Sequence, residues 1–367
     1  MLTAPLRQGA QNLLLNCAGL SAGDELLILR EDPGLGYYDQ AITDALIQCA
    51  QEHAIRTSIR TLPFDSLGIT FSASTICAMQ TAKRTIFLSR SGDQIRFGTA
   101  LAGIRPIMSY ALDAEMLASG FGRADYNGFV SLKDAVDAHM ANAQYIRVTC
   151  PLGTDFSGPG AAYPTNSNAD VSVTRFPMSI FAPVPADGFS GIFMQQGFLV
   201  GTGSRFYQPY SCPLKDPIGL HFENTLLTHI TGAPQDVAAA RAHYQRTAQM
   251  FGLEPFTMHS WHAGIHPGCS YKQAAAQNFE RWSGGAFGNP RLLHFHTCGH
   301  SAPGEISLNL LDPTVTVDGV SVWENGVFNP SLVDGGTEIL ERHPSIATVF
   351  ESPQQRVGQG RDGHLTS

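Results

Sequence analysis

Two short stretches hold six of the chain's 13 histidines. "HSWHAGIHPGC" carries His259, His262 and His266, and "HFHTCGH" carries His294, His296 and His300. Neutral imidazole is the commonest metal ligand and the side chain best suited to moving protons near neutral pH. A single buried histidine is usually a hydrogen-bonded structural residue. Six of them in an apolar region would need six separate partners, so the group points to a metal centre or an acid–base cluster. Glu305 and Asp312 follow closely, and a carboxylate added to imidazoles makes an N/O site suited to iron or zinc.

Spacing narrows the choice. His262 and His266 stand four apart, as in a helical zinc-binding pair, but no Glu follows His262, and Gly264 and Pro267 oppose a helix there. His294 and His296, two apart, share one face of a strand. His300 lies past Gly299 in a turn. The segment between the clusters reads as helical, and a helix between two strands can set those strands side by side. Cys298 offers a thiolate but reads as a small buried hydrophobe.

Other chemistries find less support. No GxSxG stands where a hydrolase nucleophile would sit. No GxGxxG follows the first strand, and "GLG" at 34–36 is too short to cradle a phosphate. Asp155 in "GTDF" reads as a turn-holding residue. Lys+Arg 23 against Asp+Glu 31 gives a net charge of −8 with no basic run, which argues against nucleic-acid or anionic-membrane partners. A small molecule is the expected partner. No apolar run reaches the ~18 residues of a membrane span. Seven scattered cysteines without CxxC spacing, and no basic-then-apolar leader, give the expectation of a reduced, cytoplasmic protein.

The elements that must position these residues follow from periodicity. Residues 1–150 alternate helical segments ("LRQGAQNLLLNCAGL", "YYDQAITDALIQCAQEHA") with short strands ("ELLILR", "RTSIRTL", "TIFLS", "IRPIMS", "QYIRVTC"). That alternation predicts an α/β N-terminal domain with a mostly parallel sheet, read as a scaffold. After Cys150, "PLGTDFSGPGAAYPTNSNAD" is loop-like. Strand-like runs, a helix from Pro234 to Gly252 and the helical "SYKQAAAQNFERW" then predict an α+β C-terminal domain over 151–350 that carries the site. Residues 351–367 form a polar, glycine-rich tail expected to fray.

Four stretches resemble the superfamily of aminopeptidase T metallo-exopeptidases and 2,5-dihydroxypyridine 5,6-dioxygenase. They are "GTDF" (153–156), "PIGLHFENTLLTHITG" (217–232), "WHAG" (261–264) and "LLDPTVTVDGVSVWENG" (310–326). The likeness runs loosely along the whole chain and implies a metal-dependent enzyme. The family's first metal histidine falls on His262. Its His-x-Asp pair falls on Leu310 and Asp312, so one ligand is missing. Near "TRFPMS", where the dioxygenase has an acid–base histidine, this chain has Arg175, and Glu254 is a loose candidate for the peptidases' Glu ligands.

His296 falls on a serine of the dioxygenase pocket. The resemblance then implies a rebuilt metal set of His262, His296 and Asp312, two histidines and one carboxylate as in non-haem Fe(II) oxygenases. His266 or His300 would move protons, and Arg175 would pair with a substrate carboxylate. The expected function is an iron oxygenase acting on a small aromatic or heteroaromatic compound. The alternatives are a zinc-dependent aminopeptidase-like hydrolase and a metal-free enzyme or binding protein. The expected assembly is a homo-oligomer.

Overall fold

The computed structural model describes residues 2–96, 101, 103–160, 171–202, 204 and 207–365. Residues 161–170 of the expected glycine-rich loop lie outside them.

Among the described residues the mixed α/β architecture contains three sheets. The first is parallel, with strands in the order Arg56–Thr61, Glu25–Arg30, Arg84–Leu88, Ile107–Ser109 and Thr174–Phe176. Helix Gln40–Glu52 connects two of these strands, opened by Asp39, whose Oδ1 accepts the Ile42 N–H at 2.9 Å. Its stripe of Ile42, Leu46 and Cys49 is fully buried, as the 3.6-residue period predicts.

Two departures concern where the chain changes layer. Tyr145–Thr149, expected beside the parallel strands, pairs antiparallel with Asp155–Pro159 and Thr314–Val317 in an eight-stranded sheet. Conversely, Thr174–Phe176 comes from beyond residue 150 and closes the parallel sheet against Ile107–Ser109. That places Arg175 at the sheet's edge.

The third sheet positions the histidines. Its order is Ser211–Pro213, Phe198–Val200, Glu305–Leu311, Leu292–Cys298, Met258–Ala263 and Val184–Pro185. The two histidine-rich strands are antiparallel neighbours, with His262 opposite His294. Side chains alternate across a strand, so His294 and His296 face one way and Phe295 the other. Phe295 meets Phe193 and Phe156 of the eight-stranded sheet edge-on, at centroid distances of 5.1 and 5.3 Å. The strand Leu292–Cys298 is therefore buried on both faces, one apolar and one histidine-lined.

The helix Pro234–Phe251 ends at Gly252, whose φ of 67° provides the left-handed cap. "SYKQAAAQNFERW" is less helical than its composition predicts, with a short 3-10 turn and then a helix over Phe279–Gly285. Residues 271–275 instead hydrogen-bond to the C-terminal segment, through Tyr271 N–H to Arg356 O (2.7 Å) and Ala275 N–H to Gly358 O (2.9 Å). The same contacts correct the expectation of a frayed tail. Trp282 Nε1 donates to Val357 O at 2.7 Å, and Val357 and Leu365 are buried. All seven cysteines are free thiols. Among the described residues no helix is long and apolar enough to cross a membrane.

Candidate metal centre

His262, His294 and His296 bring three ring nitrogens within 4.8 Å of one another. All three residues are at most 5% exposed. Their ring centroids lie 4.2 Å (His262–His294) and 5.0 Å (each to His296) apart. Strand geometry alone produces this: two residues two apart on one strand, and a third directly opposite on its neighbour.

The hydrogen bonds fix the tautomers. His262 Nδ1 lies 2.9 Å from the Phe181 carbonyl, which only accepts, so Nδ1 carries the proton and Nε2 presents a lone pair. His296 Nδ1 likewise donates to Glu305 Oε1 at 2.6 Å, leaving its buried Nε2 without a partner. His294 Nε2 stands 2.6 Å from His262 Nε2 and must donate to it. Its Nδ1 is buried without a partner. Burial, then the neighbouring histidines, holds the pKa values of His262 and His294 well below the ordinary imidazole value, so both are neutral. Glu305, buried though it is, is held below the usual carboxylate value by His296 and Thr202, which outweigh its desolvation.

This donor set fits a divalent transition metal. Imidazoles that ligate metals donate their second nitrogen to a carbonyl or carboxylate, as His262 and His296 do. Two imidazole nitrogens on one cation stand about 3 Å apart, given metal–nitrogen bonds of about 2.0–2.1 Å. The 2.6 Å His262–His294 contact therefore has to open by a few tenths of an ångström. His294 would also have to move its proton from Nε2 to the unpartnered Nδ1.

The histidines floor a cleft of about 770 Å³, counted with its open mouth. Phe287 stacks on His294 at 4.2 Å and lines one wall, and Phe121 lines another. Arg96, Tyr110 and Arg175 also line the cleft. These come from the parallel sheet's strands or the segments just after them, the end where open α/β sheets bind ligands. Arg96 pairs with Asp93 at 2.6 Å and meets the Tyr110 hydroxyl at 3.3 Å. His300 lines the cleft as well and is exposed.

The sequence-predicted residues divide accordingly. His262, His296, Arg175 and His300 surround this one cleft. Asp312 does not join them. Strand parity puts Glu305, Ser307 and Asn309 on the histidine face, opposite Cys298, His296 and His294, while Leu310 faces away. Asp312 lies past the strand's end with φ 54° and holds Arg291 through two contacts of 2.6 and 2.7 Å. His294 occupies the third position instead. The sequence already placed it on the His296 face, but the family's His-x-Asp pattern drew attention to residue 312.

His266 is also elsewhere. It is fully buried, stacked on Phe129 at 3.7 Å, and accepts the Gly268 N–H at Nδ1. Burial pushes its pKa down to about 3, so it remains neutral packing. Glu254 is exposed and does not line the cleft. Asp155 pairs with Arg147 across two strands, at 2.8 and 2.6 Å, rather than holding a turn.

No family model matches the chain, and no curated protein matches it. Among solved structures, 2,5-dihydroxypyridine dioxygenase from Pseudomonas putida KT2440 matches at TM-score 0.57 and 16% identity, over 89% of this chain and 96% of that one. Wild-type AmpT from Thermus thermophilus matches at TM-score 0.45 and 10% identity, over 85% and 94%. The second likeness is too distant to carry an argument. The chain therefore shares its overall fold with the dioxygenase along most of its length, as the resemblance in its sequence implied.

Proposed function

We propose that the protein is a metal-dependent enzyme acting on a small aromatic or heteroaromatic anion, with non-haem iron oxygenase chemistry as its reaction class. The observation that carries this reading is the convergence of three buried imidazoles on an aromatic cleft. His262, His294 and His296 would hold the ion, Fe(II) in the first instance. Bound Fe(II) supplies a common site for an electron-rich ring and O₂.

The chain's own residues bind, orient and exclude water. Phe287 and Phe121 offer flat apolar walls to a ring. Arg175 and Arg96 offer guanidinium donors to a carboxylate or phenolate on its rim. His300, at the cleft and in contact with solvent, would exchange protons.

A second reading rests on a specific feature: three histidines without a ligating carboxylate are also a catalytic zinc set, which activates water for hydrolysis. Against it, the nearest carboxylate, Glu305, is tied to His296 and Thr202 and so is not placed to act as a general base. Oxygen consumption by Fe(II)-loaded protein should appear with hydroxylated pyridines or phenols bearing a carboxylate. Cleavage of aminoacyl amides by zinc-loaded protein, without oxygen uptake, would establish the second reading instead. Full activity in His262→Ala after chelation would leave a metal-free enzyme.

A further inference from the structure

Behind His296, away from the shared centre, lies a carboxylate with no ligating position of its own. Glu305 opens the strand Glu305–Leu311 opposite Cys298, one diagonal step from His296 on the same sheet face. It is 1% exposed. Its Oε1 accepts from both His296 Nδ1 at 2.6 Å and the Thr202 hydroxyl at 2.5 Å. The Tyr207 hydroxyl donates to the Glu305 carbonyl at 3.2 Å, which fixes the backbone at that point. A buried carboxylate is tolerated only where partners hold it, and here one partner is the imidazole whose far nitrogen points at the His262–His294 pair.

We propose that Glu305 is a positioning residue for His296. It holds the proton on Nδ1 and presents the Nε2 lone pair to the centre shared with His262 and His294, with Thr202 fixing the carboxylate's rotamer. The three imidazoles are then graded: His296 is backed by a carboxylate, His262 by the Phe181 carbonyl, and His294 by nothing. A carboxylate raises the basicity of the ring it holds, so His296 is the strongest donor of the three. Only the proposal's consequence for metal affinity rests on the metal reading above; the tautomer can be measured without any metal.

Two measurements test it on the full chain. Proton–nitrogen correlation spectra of the histidine rings in metal-free protein, at about pH 8 and above the ordinary imidazole range, should show His296 protonated at Nδ1. Glu305→Ala should spread that proton over both nitrogens, whereas Glu305→Gln, whose amide oxygen still accepts, should restore the wild-type pattern. In Co(II) titrations Glu305→Ala should weaken binding about 10–100-fold, Glu305→Gln less, and Thr202→Val by a smaller factor still.

In a His296→Ala background, Glu305→Ala should cost nothing further, because its effect passes through that ring. A wild-type His296 protonated at Nε2, or an equal loss with and without His296, would overturn the proposal. Should Glu305→Ala fail to fold, Thr202→Val and Glu305→Gln carry the same comparison. No cobalt uptake by wild-type protein, with His296 still protonated at Nδ1, would sink the metal reading and leave the positioning role standing.

Discussion

Replacing His294 by Ala, beside Asp312→Asn, separates two ligand sets that differ in one member. His294 is 2% exposed, stacks on Phe287 at 4.2 Å and bonds to His262 at 2.6 Å. Truncating it leaves a buried void and costs about 2–3 kcal/mol of stability, partly offset because an unpartnered buried Nδ1 disappears with it. It also removes one of three donors, so metal affinity should fall by more than the ~100-fold that losing a supporting carboxylate costs.

Asp312→Asn removes a carboxylate from a partly exposed ion pair with Arg291, in which the two side chains are 25% and 19% exposed. It should cost no more than about 1 kcal/mol, and Asn tolerates the left-handed φ of 54° at that turn. Its metal affinity should match wild type. Isothermal titration with Co(II) or Zn(II), alongside urea unfolding of each metal-free variant, reads both quantities. Retention of metal by His294→Ala together with its loss from Asp312→Asn would refute the reasoning and restore the two-histidine, one-carboxylate set.

Other expectations follow from the same geometry. Metal-free protein should lose stability as pH falls below about 6.5. His262 and His294 are held neutral by burial, and burial likewise lowers His243 to about 4 and His266 to about 3. All four regain ordinary values on unfolding, so the unfolded chain binds more protons and each group costs up to about 1.4 kcal/mol per pH unit down to its own folded pKa. Urea midpoints that stay flat between pH ~6.5 and ~5 would contradict this. His266→Leu should leave metal content and turnover unchanged, since that ring is packing between Phe129 and Phe121; a collapse of kcat in folded protein would count against it. Arg175→Ala should raise KM for carboxylate-bearing rings about 10-fold or more while changing KM for uncharged rings little; equal effects on both would remove the anion-binding role. His300→Ala should lower kcat with metal content intact, and loss of metal from that variant would mean that the exposed ring ligates.

Much of the architecture was legible because it follows from local periodicity. The helix over Gln40–Glu52 and its buried stripe, the helix opening at Pro234, and the shared face of His294 and His296 all rest on periods of 3.6 or two residues. The allocation of strands to sheets was not legible. Tyr145–Thr149 looks like its parallel predecessors, and only long-range pairing sends it into the antiparallel sheet. The site divides in the same way. His262 and His296 were readable as members of two clusters, but their register, which sets His262 against His294, is a pairing that one strand's sequence does not encode. Asp312 was misread because it was placed by likeness to a His-x-Asp pattern. Counting alternation from Glu305 along its strand would have put residue 310 on the wrong face and 312 beyond the end. The helical reading of residues 270–282 was too long, because Tyr271 and Ala275 spend their backbone donors on the C-terminal segment and the helix is confined to Phe279–Gly285.

Anomalous diffraction from crystals grown with Fe(II) under anaerobic conditions, or with Co(II), addresses the central claim most directly. One metal peak is expected, about 2.0–2.1 Å from the Nε2 atoms of His262, His294 and His296, with His296 still hydrogen-bonded to Glu305 and the His262–His294 nitrogens spread to about 3 Å. Clear density for all three rings in their present contacts, with no peak between them at saturating metal, would contradict it.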